Sequence, residues 1–260
     1  MLHWILALLV TVGAAYYQRT TGPTYPEQAT AGVGGYQAHA ELLRSHEGEG
    51  DLPVVVDGAG PEATGRLFWR RYRATEQFRS IDMSREGDGR LTAALPHQPP
   101  AGKLEYKVVI RDGAESGMLP NHGTTVARFK GGVPAAVLLP HILAMFAGML
   151  FSNRAGLEAL RNGEKMRVYA LWSAALLTLG GMIFGPIVQK YAFGALWTGV
   201  PYGWDLTDNK TLIAFLAWGV ALLKMRGRGH PRWWIFGAAV VTFVIFLIPH
   251  SMFGSELKYE

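Results

Sequence analysis

Two histidines follow prolines inside long apolar runs of the chain, His141 in "LLPHIL" (138–143) and His250 in "LIPH" (247–250). Imidazole is the commonest metal ligand in proteins and titrates near neutral pH. A proline within a helix removes one backbone donor and frees a carbonyl one turn earlier. Burying an imidazole or an unpaired carbonyl in an apolar environment costs free energy unless the group forms hydrogen bonds. The two Pro-His pairs are therefore the first candidates for chemistry.

Two interpretations of these pairs are open. In the structural one, each imidazole satisfies polar groups near its proline, where the carbonyls of Ala136 and Ile245 are freed. In the functional one, His141 and His250 are the axial ligands of one b-type haem iron, or hold a quinone, near the outer membrane surface. The chain has no cysteine, which excludes a covalently attached c-type haem, an iron–sulfur cluster, a thiol nucleophile and a disulfide.

Between the two histidines lies an aromatic segment, "GGMIFGPIVQKYAFGALWTGVPYGWDLTDNKTLIAFLAW" (180–218). It resembles the tryptophan-rich WWD haem-handling proteins of cytochrome c maturation, in which a glycine-rich helix end leads to an aromatic outer segment that ends in Trp-Asp. The resemblance implies that Trp197, Trp204 and Asp205 join His141 and His250 as cofactor-binding residues. An aromatic belt at the membrane interface, and an Asp205 side chain that caps the following helix, are the alternative explanations.

The elements that must position these residues are apolar helices. The chain has 260 residues, of which 49% are hydrophobic and 17% charged, and its mean hydropathy is +0.12. These values predict separate polar and apolar regions. Four membrane-spanning helices are predicted, with Lys210 and Lys224 extending toward the interface, at 133–151, 168–189, 211–223 and 233–249. Residues 1–17 predict an N-terminal membrane anchor or signal anchor.

The basic residues indicate orientation. Two predicted loops, 152–167 and 224–232, carry Arg and Lys in excess of Glu. The positive-inside rule places both loops in the cytoplasm. The N-terminus is then cytoplasmic, and the polar domain, the aromatic loop 190–210 and the C-terminus are periplasmic in a bacterial inner membrane. The net charge of +5 thus reflects topology, and no nucleic-acid partner is expected.

The polar region between the anchor and the first span predicts β structure. Residues 18–36 are rich in Pro, Gly and Thr and predict a flexible linker. Seven short β-prone runs follow, separated by turn residues, at 39–45, 52–58, 65–73, 78–84, 89–95, 103–113 and 124–131. Residues 37–131 resemble fibronectin type III or immunoglobulin-like domains of exported bacterial proteins. This resemblance implies an antiparallel β-sandwich.

A basic stripe with interleaved aromatic residues lies in the run 65–73. Strand alternation predicts that Trp69 and Arg71 share one face and that Arg70 and Tyr72 share the other. The stripe is either a solvated strand face or a docking surface for an acidic partner.

The fold class expected is therefore mixed, an extracytoplasmic β-sandwich with a transmembrane bundle in residues 132–260 of four helices, or five with the anchor. The predicted spans contain no Asp or Glu, which disfavours transport. We expect an accessory or assembly subunit of a larger membrane complex, partnered by the bilayer and other subunits, without catalytic activity of its own. The alternative is an electron-transfer or haem-handling protein with haem b or a quinone.

Overall fold

The structure is a computed structural model that describes residues 1–227 and 230–250. The chain divides into two compact units, one formed by Met1–Pro23 with the described residues from Val133 onward, the other containing Thr24–Gly132. The helical unit is thus interrupted in sequence by the β unit. The predicted periplasmic tail after His250, and Arg228 of the predicted basic loop, lie outside the described residues.

The described part of the helical unit contains six α-helices: α1 (Leu2–Thr21), α2 (Ala135–Leu160), α3 (Met166–Leu177), α4 (Gly185–Phe193), α5 (Leu206–Met225) and α6 (Arg232–Leu247). A π-helical segment, Thr178–Phe184, joins α3 to α4. The helices that are long and apolar enough to cross a membrane are α2, the combined helix Met166–Phe193, and α5. At 16 residues, α6 is about 24 Å long, so a fourth span and the N-terminal anchor stay predictions.

The apolar helices pack closely because small residues line their contacts. Ala155, Ala159 and Ala239 are buried in one cluster between α2 and α6. Gly156 belongs to the same contact, since a Cβ there would lie 2.8 Å from the Ala239 Cβ. Without a strong hydrophobic driving force in lipid, close backbone approach of this kind holds helices together. Large apolar side chains such as Leu143 and Trp172 point outward.

One predicted loop is wrong, because α2 extends to Leu160. Arg154 and Glu158 therefore lie within the helix, where Arg154 Nη1 is 2.6 Å from Glu158 Oε2. The Arg154 guanidinium also lies 4.6 Å from the centre of the Tyr169 ring. Arg154 was expected in the solvent-exposed loop 152–167. In the structure its guanidinium contacts Glu158 and Tyr169 in place of water. The connection between α2 and α3 is only the short segment 161–165.

The β unit contains eleven strands within the described residues: β1 (Glu27–Val33), β2 (Tyr36–Leu42), β3 (Ser45–Glu47), β4 (Leu52–Val56), β5 (Thr64–Arg71), β6 (Arg79–Asp82), β7 (Ser84–Arg85), β8 (Leu91–Leu95), β9 (Lys103–Asp112), β10 (Glu115–Leu119) and β11 (Thr125–Lys130). They form three sheets, β1-β2, β3-β11-β9-β5-β6 with β10 on β9, and β4-β8-β7. Each of the seven predicted runs overlaps a strand.

The pairing is antiparallel in all but one of the described ladders. The exception is β3, which runs parallel to β11, with His46 opposite Phe129. A buried core that includes Leu67, Tyr106 and Phe129 holds strands of the sheets together. The β-sheet character is therefore established, whereas the sandwich topology stays a prediction.

The predicted flexible linker 18–36 is replaced by regular structure. α1 continues to Thr21, and β1 occupies Glu27–Val33. Alternate residues of β1, including Ala29 and Ala31, are buried. Small side chains thus form a strand here because β2 pairs with β1 along its whole length.

Candidate functional site

His141 lies in α2 directly after Pro140, which is inside the helix as predicted. Its Nδ1 is 2.9 Å from the carbonyl oxygen of Gly180. A carbonyl only accepts, so Nδ1 carries the proton and donates. This acceptor, the Gly180 carbonyl, belongs to the π-helical segment. It is not the Ala136 carbonyl, which the position of Pro140 suggested. In the neutral ring, Nε2 then keeps its lone pair, as in histidines that bind metals.

The π-helical segment places glycines where no side chain would fit. A Cβ on Gly180 would lie 2.8 Å from Met145 Sδ, and one on Gly181 would lie 2.6 Å from Thr211 Cγ2. The Gly180 carbonyl also accepts a hydrogen bond from the backbone of Gly185. The segment therefore packs closely against both α2 and α5 near His141.

The second Pro-His pair lies beyond a helix end. α6 ends at Leu247, and Ile248 is extended, so Pro249 follows the helix and does not kink it. The Ile245 carbonyl accepts from the Ile248 amide at 3.1 Å. The carbonyls that need other donors are those of Phe246 and Ile248. The predicted role of Pro249 as a residue within a span is corrected accordingly.

Side chains from α1 and α5 supply those donors. Gln18 Nε2 donates to the Phe246 carbonyl at 2.9 Å and to the Ile248 carbonyl at 3.1 Å. Lys210 Nζ donates to the same Ile248 oxygen at 2.8 Å. Helix C-termini carry partial negative charge, so an ammonium group is favourable there.

Lys210 is only 4% exposed, and the expectation that it extends toward the interface is wrong. α5 begins at Leu206 instead of Thr211, which places Lys210 within the helix and on its packed side. Its ammonium group bonds to the Ile248 carbonyl within the protein. Lys210, Asp208 and the ion pair of α2 lie in the parts of α2 and α5 that extend beyond the predicted spans.

A small cavity of about 30 Å³ adjoins this helix end. Its polar lining comes from Gln18, Lys210, Thr211 and His250, and apolar side chains complete it. Such a volume holds about one water molecule. Pockets for ligands of cofactor size measure roughly 300–1,000 Å³. A haem or a quinone ring therefore does not fit this cavity, although Thr211 connects it to the glycine contact beside His141.

Asp205 caps α5, as the alternative interpretation predicted. Its Oδ1 accepts a hydrogen bond from the Thr207 amide at 2.8 Å. Trp204 is 85% exposed, and Trp197 donates through Nε1 to the Val200 carbonyl. The predicted aromatic loop 190–210 is shorter, because α4 ends at Phe193 and α5 starts at Leu206. The aromatic side chains do not converge on Asp205, whose carboxylate serves the helix start.

Asp208, which the sequence indicated only as one candidate cap of the following helix, organises this loop. Its Oδ2 accepts from the Thr198 amide at 2.6 Å, from the Gly199 amide at 3.0 Å and from Gln189 Nε2 at 3.0 Å. The neighbouring Asn209 accepts from the Val200 amide. The Asp and Asn residues so close to a helix start were the available sequence indication.

A second candidate site is a cationic–aromatic surface on the β unit, defined by Arg70, Tyr72, Phe78, Lys103 and Lys107. The Arg70 guanidinium lies 4.5 Å and Lys107 Nζ 5.5 Å from the centre of the Phe78 ring. Lys103 Nζ is 5.5 Å from the Tyr72 ring. Trp69 is buried on the opposite face of β5, which confirms the predicted alternation. Arg70 also pairs with Glu105 at 2.6 Å.

No protein-family model matches the chain, and no curated protein sequence matches it. Within residues 1–227 and 230–250, no group of three His, Asp or Glu side chains is placed to hold a metal ion.

Proposed function

We propose that this chain is a membrane-anchored accessory subunit whose β unit binds an acidic region of a partner protein through the cationic–aromatic surface. The observation that carries the proposal is the stacking of Arg70 and Lys107 on one ring, Phe78. Stacking holds the cations in place while they keep their charge. An ordered set of cations loses less side-chain entropy when an acidic partner binds.

The helical unit fits the role of an anchor. Its buried polar groups are largely occupied in tying helices together, as Gln18 and Lys210 do at the end of α6. Its outer surface carries large apolar side chains, which suit lipid or neighbouring membrane subunits. We further propose the predicted placement, with the β unit as an immunoglobulin-like sandwich in the periplasm of a bacterial inner membrane.

The test is a charge reversal on the surface, followed by quantitative co-purification. Tagged wild-type protein and Lys107→Glu are purified from membranes under mild detergent, and bound proteins are measured by mass spectrometry. We expect a protein with an acidic surface to co-purify with the wild type. Its recovered amount should be about tenfold lower with Lys107→Glu. Raising the salt concentration should have the same effect, because exposed charges are screened.

Arg90→Glu is the matched control, because Arg90 lies outside the surface and pairs with Asp88. It carries the same charge change and should retain the partner. A set of bound proteins that is unchanged in Lys107→Glu, or lost equally in Arg90→Glu, would overturn the proposal.

A b-type haem or quinone protein is the second candidate. It is favoured by the Nδ1 contact of His141, which leaves Nε2 as a ligand atom. The small cavity beside His250 argues against it, so it is not the function that the geometry supports best. An absorption spectrum of purified protein tests it. A Soret band that shifts on reduction and is lost in His141→Ala and in His250→Ala would support this candidate, whereas colourless protein would exclude bound haem.

A further inference from the structure

A groove of about 400 Å³ lies on the β unit beside the cationic–aromatic surface, where β5, β6 and β9 run side by side. We call it the arginine groove; it is lined by Thr64, Gly65, Arg66, Phe68, Asp82, Met83, Val109 and Arg111. Its volume lies in the range of ligand sites. The chain passes from one sheet to another beside this groove. The Met83 amide still donates to the Gly65 carbonyl of β5, whereas the next strand, β7, pairs with β8.

The groove contains guanidinium groups with free hydrogen-bonding capacity. Arg66 Nε is 2.6 Å from Asp82 Oδ1, but the two side chains are 53% and 76% exposed. An ion pair this exposed contributes little and yields easily to another partner. Arg111 is exposed and makes no ion pair or side-chain hydrogen bond within the described part of the chain. Its planar fork matches a carboxylate.

The apolar part of the groove lies next to these cations. Phe68 and Val109 are half-buried on the same outward face, and Val109 lies directly opposite Arg66. Along β9 the outward side chains are Arg111, Val109 and Lys107 in succession. Alternate residues of a strand are roughly 6.6–6.8 Å apart. The face therefore repeats cation, apolar and cation at the spacing of an extended peptide.

We propose that the arginine groove binds an extended peptide segment of the partner in which an acidic, an apolar and an acidic side chain alternate with other residues. The acidic side chains contact Arg111 and Lys107 of the adjoining cationic–aromatic surface, and the apolar side chain lies on Val109, next to Phe68. The inference rests on the proposed function, because the segment belongs to the same acidic partner. A protein segment is favoured over a lipid headgroup because the apolar contact lies between two cations at strand spacing.

A fluorescein-labelled peptide, acetyl-Glu-Ser-Leu-Ser-Glu-amide with the dye on an added lysine, tests this inference. Its binding to the full chain in phosphatidylcholine nanodiscs is followed by fluorescence anisotropy. We expect saturable binding that weakens about tenfold in Arg111→Gln and persists in Arg90→Gln. The peptide with Gln in place of both Glu, and the peptide with Ser in place of Leu, should each bind more weakly.

Three outcomes would overturn the inference: no binding of the peptide, equal binding to wild type and Arg111→Gln, or equal binding of the Glu and Gln peptides. Capture of phosphatidylglycerol vesicles without binding of the peptide would also overturn it, in favour of a lipid ligand. Loss of the partner in Lys107→Glu is measured separately. If that loss occurs but the peptide is not bound, the groove inference fails and the proposed function stands.

Discussion

Lys210 Nζ and the Ile248 carbonyl oxygen lie 2.8 Å apart, and Gln18 Nε2 donates to the same oxygen at 3.1 Å. One carbonyl thus joins the ends of α1, α5 and α6. Ile248 precedes Pro249 and is extended, as expected because a proline disfavours the helical conformation of the residue before it, so the helix ends before this carbonyl. The two side chains take over the role of the missing backbone donors.

Removing both donors should cost more than the sum of the separate losses. Lys210→Met and Gln18→Leu should each lower the free energy of unfolding by about 1 kcal/mol, because the other donor still reaches Ile248. The double variant leaves the carbonyl without a side-chain donor, and its coupling energy should be about 0.5–3 kcal/mol. Unfolding in detergent micelles measures all four proteins. Simple additivity would contradict the shared role, and Lys190→Met, which removes an exposed lysine that also bonds a carbonyl, should change little.

Asp208 should be the main determinant of order in the loop before α5. In Asp208→Ala, two backbone amides and Gln189 lose their acceptor, and charged acceptors contribute roughly 1.5–3 kcal/mol. Asn209→Ala removes only the bond to the Val200 amide. Limited proteolysis with chymotrypsin, which cleaves after Tyr202 and Trp204, should be clearly faster in Asp208→Ala than in Asn209→Ala. Equal cleavage rates would show that Asp208 does not hold this loop.

The π-helical segment should not tolerate even a methyl group at Gly180. A Cβ there would approach Met145 Sδ to 2.8 Å and the Met145 amide nitrogen to 3.0 Å. Gly180→Ala should therefore destabilise the helical unit by about 1–3 kcal/mol. Gly237→Ala on α6 is the control, since nothing lies within 4 Å of its Cβ position, and it should be neutral or stabilise by up to about 1 kcal/mol. Thermal unfolding in detergent compares the two, and the reverse order would exclude a packing role for Gly180.

The β unit should lose stability at alkaline pH through Tyr106. Burial, followed by the nearby Glu27 charge, raises the pKa of the Tyr106 hydroxyl well above its usual range. The unfolded chain releases this proton near pH 10, whereas the folded protein keeps it. The contribution of Tyr106 to the free energy of unfolding is thus fully present below about pH 10 and decreases as the pH rises further.

Tyr106→Phe isolates this effect. The variant loses the hydrogen bond to the Leu43 carbonyl, which should cost about 1–2 kcal/mol at neutral pH. Its additional loss of stability between about pH 9 and pH 11 should be smaller than that of the wild type. Urea midpoints at each pH provide the measurement. Parallel pH profiles for the two proteins would remove Tyr106 from the explanation.

Cysteine labelling can test the proposed sidedness cleanly, because the chain has no native cysteine. Glu164 and Tyr202 are exposed and lie beyond opposite ends of the helix Met166–Phe193. A membrane-impermeant maleimide should label Tyr202→Cys from outside in cells with a permeabilised outer membrane. Glu164→Cys should react only after the inner membrane is opened. The opposite pattern would reverse the orientation, and equal labelling would argue against a span.

Sequence patterns predicted those elements whose stability is largely local. Strand alternation placed Trp69 and Arg70 on opposite faces of β5, and the short polar side chain of Asp205 indicated a helix start. β1 was missed because its buried side chains are mostly alanine, which has little strand preference. Its pairing with β2, not its composition, makes it a strand.

The contacts of the candidate sites were harder to predict because their partners are backbone atoms. Lys210 stands at the edge of an apolar run, where a lysine that reaches the interface has the same sequence pattern. Its acceptor is a carbonyl 38 residues away, and any residue type has a carbonyl. His141 presents the same difficulty, since Gly180 bonds through its main chain.

The contact between Gln18 and Phe246 spans 228 positions of the chain. During synthesis α1 is made before the β unit, yet the carbonyls it serves are made after it. This helix must therefore wait in an incomplete environment until α6 has been made. Chains that stop before α6 would leave the Gln18 amide without these acceptors, which physically distinguishes them from chains that contain α6.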